Sequence, residues 1–102
     1  MSFSEYIAED RRLAELRFLM EDNDYSLNDS VMQTALTQIG HSVSRDVILA
    51  DFSFLADIGL IRLEEVFNGR VYVARLTARG EDVAKGRAVV KGIKKPRPTV
   101  GG

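Results

Sequence analysis

The chain of 102 residues has no cysteine, one histidine and only two prolines. Without cysteine there is no disulfide and no thiolate metal site, and a single histidine is too few to build a metal cluster. No apolar run is long enough to span a bilayer and no secretory signal is present, so we expect a cytoplasmic protein without a membrane partner. No catalytic Ser/His/Asp set and no phosphate-cradling glycine loop is apparent, which predicts a protein that is not an enzyme and needs no cofactor.

Acidic residues are absent from the last part of the chain. Six of the 14 basic residues lie at or after Lys85, whereas all 15 acidic residues precede it, which leaves that preceding part with a net charge of −7. Thr77 is placed to cap a short helix over residues 78–85, the last predicted element. We therefore predict one domain over residues 1–86 and a basic, flexible tail over residues 87–102, which would bind phosphates or simply solubilise the chain.

Two short helices joined by a tight turn are predicted between residues 26 and 60. Ser26 followed by Asp29 resembles a capping box, so we expect the first helix to begin there. Apolar residues then recur at helical spacing, and Gly40 is placed to end the helix in a left-handed conformation. A helix, a short turn and a second helix form the pattern of a DNA-binding helix-turn-helix.

The second of these helices is predicted over residues 45–58, with Ser44 as its cap and Gly59 as its stop. Asp51 lies within its apolar arc, so this carboxylate needs a basic partner or a position at the edge of the core. The opposite arc offers only Arg45 as a good reader of base edges, because the rest of it is acidic, apolar or serine. The sequence therefore predicts a weak base-reading face.

The N-terminal helix is predicted to start at Ser2 or Ser4 and to bear two apolar patches. The first comprises Tyr6, Leu13, Leu16 and Met20, and the second comprises Ile7, Ala14 and Phe18. Arg11, Arg12 and Glu15 fall between the patches and are expected to be solvated. The second patch would pack either into the core or across the interface of a homodimer.

A β-hairpin is predicted after the second helix of the pair. Asn68-Gly69 is a strong two-residue turn signal between strands over residues 61–67 and 70–76. This register places an apolar face on the helices and sets Arg62 opposite Arg75, an unfavourable pair of like charges. A hairpin that directly follows a helix-turn-helix is typical of the wing of a winged helix.

The chain resembles a family of short winged helix-turn-helix proteins of Mu-like phages and prophages. The residues that carry the resemblance are Glu9-Asp10-Arg11-Arg12-Leu13, Tyr25-Ser26-Leu27-Asn28, Val43-Ser44-Arg45-Asp46, Gly59-Leu60, Leu76-Thr77 with Gly80, and Lys95-Pro96-Arg97-Pro98. It implies an α+β, mainly α fold with a three-helix core, a two-stranded wing and a short C-terminal helix. It also implies a transcriptional regulator in the bacterial host cell.

Two functions remain open from the sequence. The first is a DNA-binding regulator that acts as a homodimer, because one such domain offers few contacts and paired half-sites multiply them. The second keeps the winged helix but uses it to bind a phage or host protein, since an acidic body repels DNA. The candidate DNA-binding residues are Ser26, Asn28, His41, Ser42, Ser44, Arg45, Arg70, Lys91, Lys94, Lys95 and Arg97. Plain capping by the serines, an Arg45–Asp46 ion pair and a solvated Arg70 are the structural alternatives.

Overall fold

A computed structural model describes residues 2–97 of the chain. It shows an α+β fold of four helices and one antiparallel sheet, as the sequence predicts. The elements in chain order are α1 (Phe3–Glu21), β1 (Ser26–Asn28), α2 (Asp29–Gln38), α3 (Arg45–Asp57), β2 (Ile61–Val66), β3 (Val71–Leu76) and α4 (Ala78–Ala84). Within the described residues, no helix is both long and apolar enough to cross a membrane.

The helices begin at side-chain caps, and one predicted cap is wrong. Ser44 and Thr77 cap α3 and α4 as expected, each accepting a bond from an amide of the first turn. Ser26 does not cap α2; the cap is Asn28, whose Oδ1 accepts from the Val31 amide at 2.8 Å. The reason is that Ser26 is held extended in β1, where it pairs with β3, so the helix starts two residues later.

The sheet has the strand order β1-β3-β2, with β3 in the centre. The hairpin register is the predicted one, with Ile61 opposite Leu76 and Arg62 opposite Arg75. The short strand β1 was not predicted, because three residues carry too little alternation to be recognised as a strand. It pairs with β3 and so fixes the start of α2 against the hairpin.

The core is formed where α1, α2 and α3 meet the inner face of the sheet. Its fully buried members from the helices are Leu16, Leu19, Met32, Leu36, Ile48, Phe52 and Leu55. Leu60 and Ala74 contribute from the sheet side. The predicted stripe on α1 therefore reaches the core through its leucines, whereas Tyr6 at its start is 46% exposed.

Arg11 and Glu15, predicted to be solvated, are buried, so that prediction is wrong. Asp51 of α3 accounts for the difference, because it accepts hydrogen bonds from Arg11 Nε at 2.6 Å and Nη2 at 3.0 Å. Arg12 Nε reaches the same carboxylate at 3.3 Å. The predicted need of Asp51 for a basic partner is thus confirmed, and α1 supplies that partner twice.

The segment after α4 lies against the helices, whereas we expected it to be mobile from residue 87. Ile93 is only 5% exposed, and the Lys94 amide donates to the Glu9 carbonyl at 3.2 Å. Arg12 Nη1 donates to the Gly92 carbonyl at 3.0 Å. An apolar side chain and backbone hydrogen bonds therefore anchor residues 87–97, while the remainder of the predicted tail, residues 98–102, lies outside the described residues.

Candidate nucleic-acid interface

Arg45, in the first turn of α3, joins three elements. Its Nε donates to Asp29 Oδ2 at 2.8 Å, and its Nη2 donates to the Arg70 carbonyl at 3.1 Å. Its guanidinium also lies 5.8 Å from the centroid of the Tyr72 ring. The ion pair considered from the sequence, with Asp46, is replaced by one with Asp29, which is 3% exposed at the start of α2.

These bonds bring the N-termini of α2 and α3 to the hairpin turn. The caps Asn28 and Ser44 lie at those N-termini, and each side chain already accepts a hydrogen bond from its own helix. Helix N-termini present amide N–H groups and a partial positive charge, which favours phosphate. Of the predicted site residues, Asn28, Ser44, Arg45 and Arg70 are therefore gathered on one face, which we call the hairpin face.

The hairpin turn projects an aromatic ring and a cation. Phe67, Asn68 and Gly69 all have positive φ, at 54°, 55° and 82°. The Arg70 amide donates to the Phe67 carbonyl at 3.2 Å and closes the turn. The Phe67 side chain is 74% exposed, and Arg70 is exposed as well. The predicted Asn68-Gly69 turn is confirmed.

The exposed face of α3 is poor in base-reading groups, in line with the sequence. Beyond Arg45, its exposed residues are Asp46, Ala50, Ser53 and Asp57. Two carboxylates on this face would repel phosphates, and a serine alone gives little discrimination between bases. Helix α3 therefore exposes few side chains that could make specific hydrogen bonds to base edges.

Two predicted DNA-binding residues are bound to an acid on α1. His41 Nε2 lies 2.7 Å from Asp10 Oδ2, and Lys94 Nζ donates to Asp10 Oδ1 at 3.0 Å. Burial raises the pKa of Asp10, but the hydrogen bonds from His41 and Lys94 outweigh it and hold that pKa below its usual value. Through Asp10 of α1, His41 and Lys94 thus connect the turn after α2 and the C-terminal segment to α1.

The remaining predicted residues are dispersed. Ser26 is a half-buried strand residue, and Ser42 is exposed in the turn between α2 and α3. Lys91, Lys95 and Arg97 are exposed on the C-terminal segment. Within residues 2–97, we observe no contact between these tail cations and the hairpin face.

A groove of about 520 Å³ runs along α1 between the C-terminal segment and the end of α2. Its apolar floor and walls come from Leu13, Ala14, Phe18, Ile39 and Pro96. Charged side chains border it: Asp10, Arg17, Glu21, Lys94 and Arg97. Part of the second apolar patch predicted on α1 thus lines an open groove.

The junction of α1 and α3 contains a buried ion cluster of Arg11, Arg12, Glu15 and Asp51. Glu15 is fully buried, and neither of its carboxyl oxygens has a hydrogen-bond partner within residues 2–97. Burial, reinforced by the neighbouring Asp51 carboxylate, raises the pKa of Glu15 well above its usual value despite the two arginines. Burial therefore favours the protonated form of Glu15, and the hydrogen bonds of the two arginines go to Asp51.

Sequence reasoning missed three residues of the hairpin face. Asp29 was treated only as a favourable acid in the first turn, whereas it is the buried partner of Arg45. Tyr72 and Phe67 were treated as strand residues, although Phe67 lies in the turn. Its position beside Asn68-Gly69 was the available signal, since a residue adjoining a two-residue turn lies at the tip of a hairpin.

Comparison with known proteins finds two relatives, while no family model matches the chain. The chain is 45% identical over 95 residues to gp26 of Escherichia phage Mu, an uncharacterized protein. The aligned residues cover 93% of this chain and 96% of gp26. It is also 39% identical over 79 residues to an uncharacterized protein of Haemophilus influenzae. That match spans 78% of this chain and 76% of the Haemophilus protein.

Proposed function

The chain belongs to the family of gp26 of Escherichia phage Mu, and we propose that it is a DNA-binding transcriptional regulator of phage or prophage origin with a winged helix-turn-helix fold. The observation that carries the proposal is the position of Arg45, which ties the N-termini of α2 and α3 to the hairpin turn. These are the segments with which winged-helix proteins approach DNA. The order of helices and strands supports the same fold.

The proposed binding mode relies on the phosphate backbone. The helix N-termini supply amide groups and Arg70 supplies a cation, whereas α3 carries acids on its exposed face. Affinity should therefore fall steeply with salt, and discrimination between operator sequences should be modest. Arg45 acts mainly by holding the hairpin in place, because its guanidinium is already bonded to Asp29 and to the hairpin backbone.

The test is fluorescence anisotropy with duplex DNA over a series of salt concentrations. Arg45→Ala should weaken binding at least about tenfold, because it removes a cation and releases the hairpin from α3. Arg87→Ala is the matched control, since Arg87 is an exposed arginine beyond the end of α4 whose side chain pairs with Asp82. Equal affinities for the wild type and both variants would exclude the hairpin face as the DNA-binding surface.

The contribution of the C-terminal cations needs substitutions rather than truncation, because removal of residues 87–97 would also remove the buried Ile93. Lys91, Lys95 and Arg97 are exposed, so changing all three to alanine leaves the anchoring contacts in place. A loss of affinity with a shallower salt dependence would show that this segment neutralises phosphates. Unchanged binding would show that it does not.

A second candidate function is the binding of a phage or host protein. The groove along α1 favours it, because its apolar floor would accept an apolar segment of a partner protein and is bordered by charged groups of both signs. The homodimer considered from the sequence would use the same side of α1. Sedimentation velocity of the wild type and of Arg17→Glu tests self-association through the groove. If Arg17→Glu leaves DNA binding unchanged, the groove and the hairpin face are separate binding surfaces.

A further inference from the structure

Phe67 occupies a position that its own packing does not explain. Its side chain is 74% exposed, so it contributes little to the core. Its φ of 54° lies in the left-handed region, which is costly for a bulky residue. Glycine or asparagine would occupy this position more easily, as Asn68 and Gly69 do in the two next positions. A strained, exposed aromatic residue is evidence for a role outside folding.

A second exposed phenylalanine shows the contrast. Phe3 is 79% exposed, but it lies at the first position of α1 with ordinary helical backbone and no left-handed φ. Exposure alone therefore does not mark a functional residue in this chain. Tyr25 also combines an exposed ring, at 46%, with a positive φ of 56°, but it precedes β1 and is not part of the hairpin turn. What distinguishes Phe67 is its greater exposure, at 74%, together with its place at the tip of the hairpin.

The surroundings of Phe67 fix its backbone beside a cation. The Arg70 amide bonds to the Phe67 carbonyl, which closes the turn and places both side chains on the same tip. Arg45 then binds the Arg70 carbonyl at 3.1 Å, which ties the turn to α3. The turn therefore keeps the backbone of Phe67 in place beside Arg70, and a preorganised backbone loses less conformational freedom on binding.

We infer that Phe67 is a wedge that enters the minor groove of duplex DNA, with Arg70 beside it on the phosphates or in the groove. This inference rests on the proposed DNA-binding function and locates its principal apolar contact. Aromatic and aliphatic side chains enter between base steps of the minor groove in proteins that bend DNA, and arginine follows the negative potential of a narrow groove. A hairpin tip is narrow enough to enter the minor groove, whereas the acidic exposed face of α3 is poorly suited to the major groove.

A wedge explains how the chain could prefer some DNA sequences although α3 exposes few side chains that read bases. Flexible pyrimidine–purine steps unstack at lower cost than others, so a wedge favours them without hydrogen bonds to base edges. Glu65 is the opposing feature, because its carboxylate lies beneath Gly69, with Oε1 3.0 Å from where a Cβ on that glycine would be. Glu65→Gln should therefore strengthen DNA binding, by on the order of twofold to threefold at low salt.

The first experiment compares Phe67→Ala with Phe3→Ala in the anisotropy assay. Phe67→Ala should bind DNA on the order of tenfold more weakly than wild type, as expected for loss of an aromatic contact with bases. Phe3→Ala should bind like wild type. Phe67→Gly should bind DNA as weakly as Phe67→Ala. It should unfold at a higher denaturant concentration than the wild type, because glycine adopts the positive φ without strain. Weaker binding by a more stable protein excludes a simple folding defect.

The second experiment uses the absence of tryptophan from the chain. Phe67→Trp creates a single fluorescent probe at the tip, and its affinity for DNA should stay within about threefold of wild type because the indole can make the same contact. Its emission should be quenched or shifted on saturation with duplex DNA. Phe3→Trp is the control probe and should show no change.

The outcomes separate the inference from the function on which it rests. If Arg45→Ala loses affinity while Phe67→Ala binds like Phe3→Ala, the chain binds DNA and Phe67 is not a wedge. Unchanged emission of the Phe67→Trp probe at saturation overturns the inference in the same way. If the wild type binds no duplex at low salt, the proposed function and the wedge both fail.

Discussion

The hairpin face and the buried ion cluster use charge in opposite ways. In the cluster, Arg11 and Asp51 are almost fully buried and bonded to each other, so their charges hold α1 to α3. On the hairpin face, the Arg45 side chain remains 44% exposed and Arg70 is exposed, so their charges can still meet an anion. The comparison indicates that loss of a charge from the Arg11–Asp51 pair should lower the free energy of unfolding, whereas substitutions on the hairpin face should change binding.

The largest loss of stability is expected for Asp51→Ala. It would leave Arg11 buried without its acceptor, and breaking a buried pair from one side costs ~3–5 kcal/mol of the free energy of unfolding. Denaturant unfolding followed by circular dichroism measures this change. Asp57→Ala, at an exposed position on the same helix, is the control and should stay within about 0.5 kcal/mol of wild type. Equal losses for both variants would contradict the buried ion cluster.

A smaller loss is expected for Ile93→Ala in the C-terminal segment. Ile93 is buried against the core cluster, so truncation should cost about 2 kcal/mol, at the low end for this change in a core. Val89→Ala provides the comparison, because Val89 is 68% exposed only four residues earlier. If Ile93→Ala were as stable as Val89→Ala, residues 87–97 would be the mobile arm predicted from the sequence.

The free energy of unfolding should depend on pH through the titration of Glu15. Because its pKa is raised in the fold, its contribution is fully present below the unfolded value of 4.5 and is lost as the pH rises through the folded pKa. The free energy of unfolding should therefore decline above pH 4.5, by at most ~1.4 kcal/mol per pH unit. Glu15→Gln removes the titrating group, so its curve should be flatter. Parallel curves would mean that Glu15 titrates normally.

That measurement is best made above pH 5, where Asp10 does not interfere. The pKa of Asp10 is lowered in the fold, so the stability it provides is present above 3.8 and is lost only as the pH falls through its folded pKa. The two carboxyl groups therefore act in separate ranges of pH.

The smallest effect tests the corrected start of α2. Asn28→Ala removes the cap that binds the Val31 amide and should cost about 1 kcal/mol. Ser26→Ala should cost less than about 0.5 kcal/mol, because the structure gives its hydroxyl no capping role. Both are read from the same unfolding curves, and the reverse order would support the capping box predicted from the sequence.

The hairpin face was more accessible to prediction than the cluster, for a physical reason. The caps at Ser44 and Thr77, the turn at Asn68-Gly69 and the strand register depend on residues close together in the sequence. The partners of Asp51 are 39 and 40 residues away, and periodicity on one helix cannot show which helix will cover it. The sequence therefore indicated that Asp51 needs a base without indicating which one.

The contacts of the C-terminal segment could not be predicted from the sequence, for a related reason. Its glycines, proline and basic residues are typical of a disordered terminus, and composition does not show that Ile93 finds a buried site or that Gly92 fits against Phe54. Only the folded arrangement of α1 and α3 creates that site. Arg45 illustrates the same limit within the candidate interface, since both of its hydrogen-bond partners lie 16 or more residues away.

The strand order has a consequence for how the protein folds. The central strand β3 is the last of the three in the chain, and it pairs with Ser26–Asn28, which lie about fifty residues earlier. The sheet therefore cannot form on the ribosome until β3 has emerged, and β1 and β2 have no partner in each other before then. Such long-range closure slows folding relative to a purely helical domain of this size. Helices α2 and α3 would thus form early but be oriented late, when β3 pairs with β1 at the start of α2.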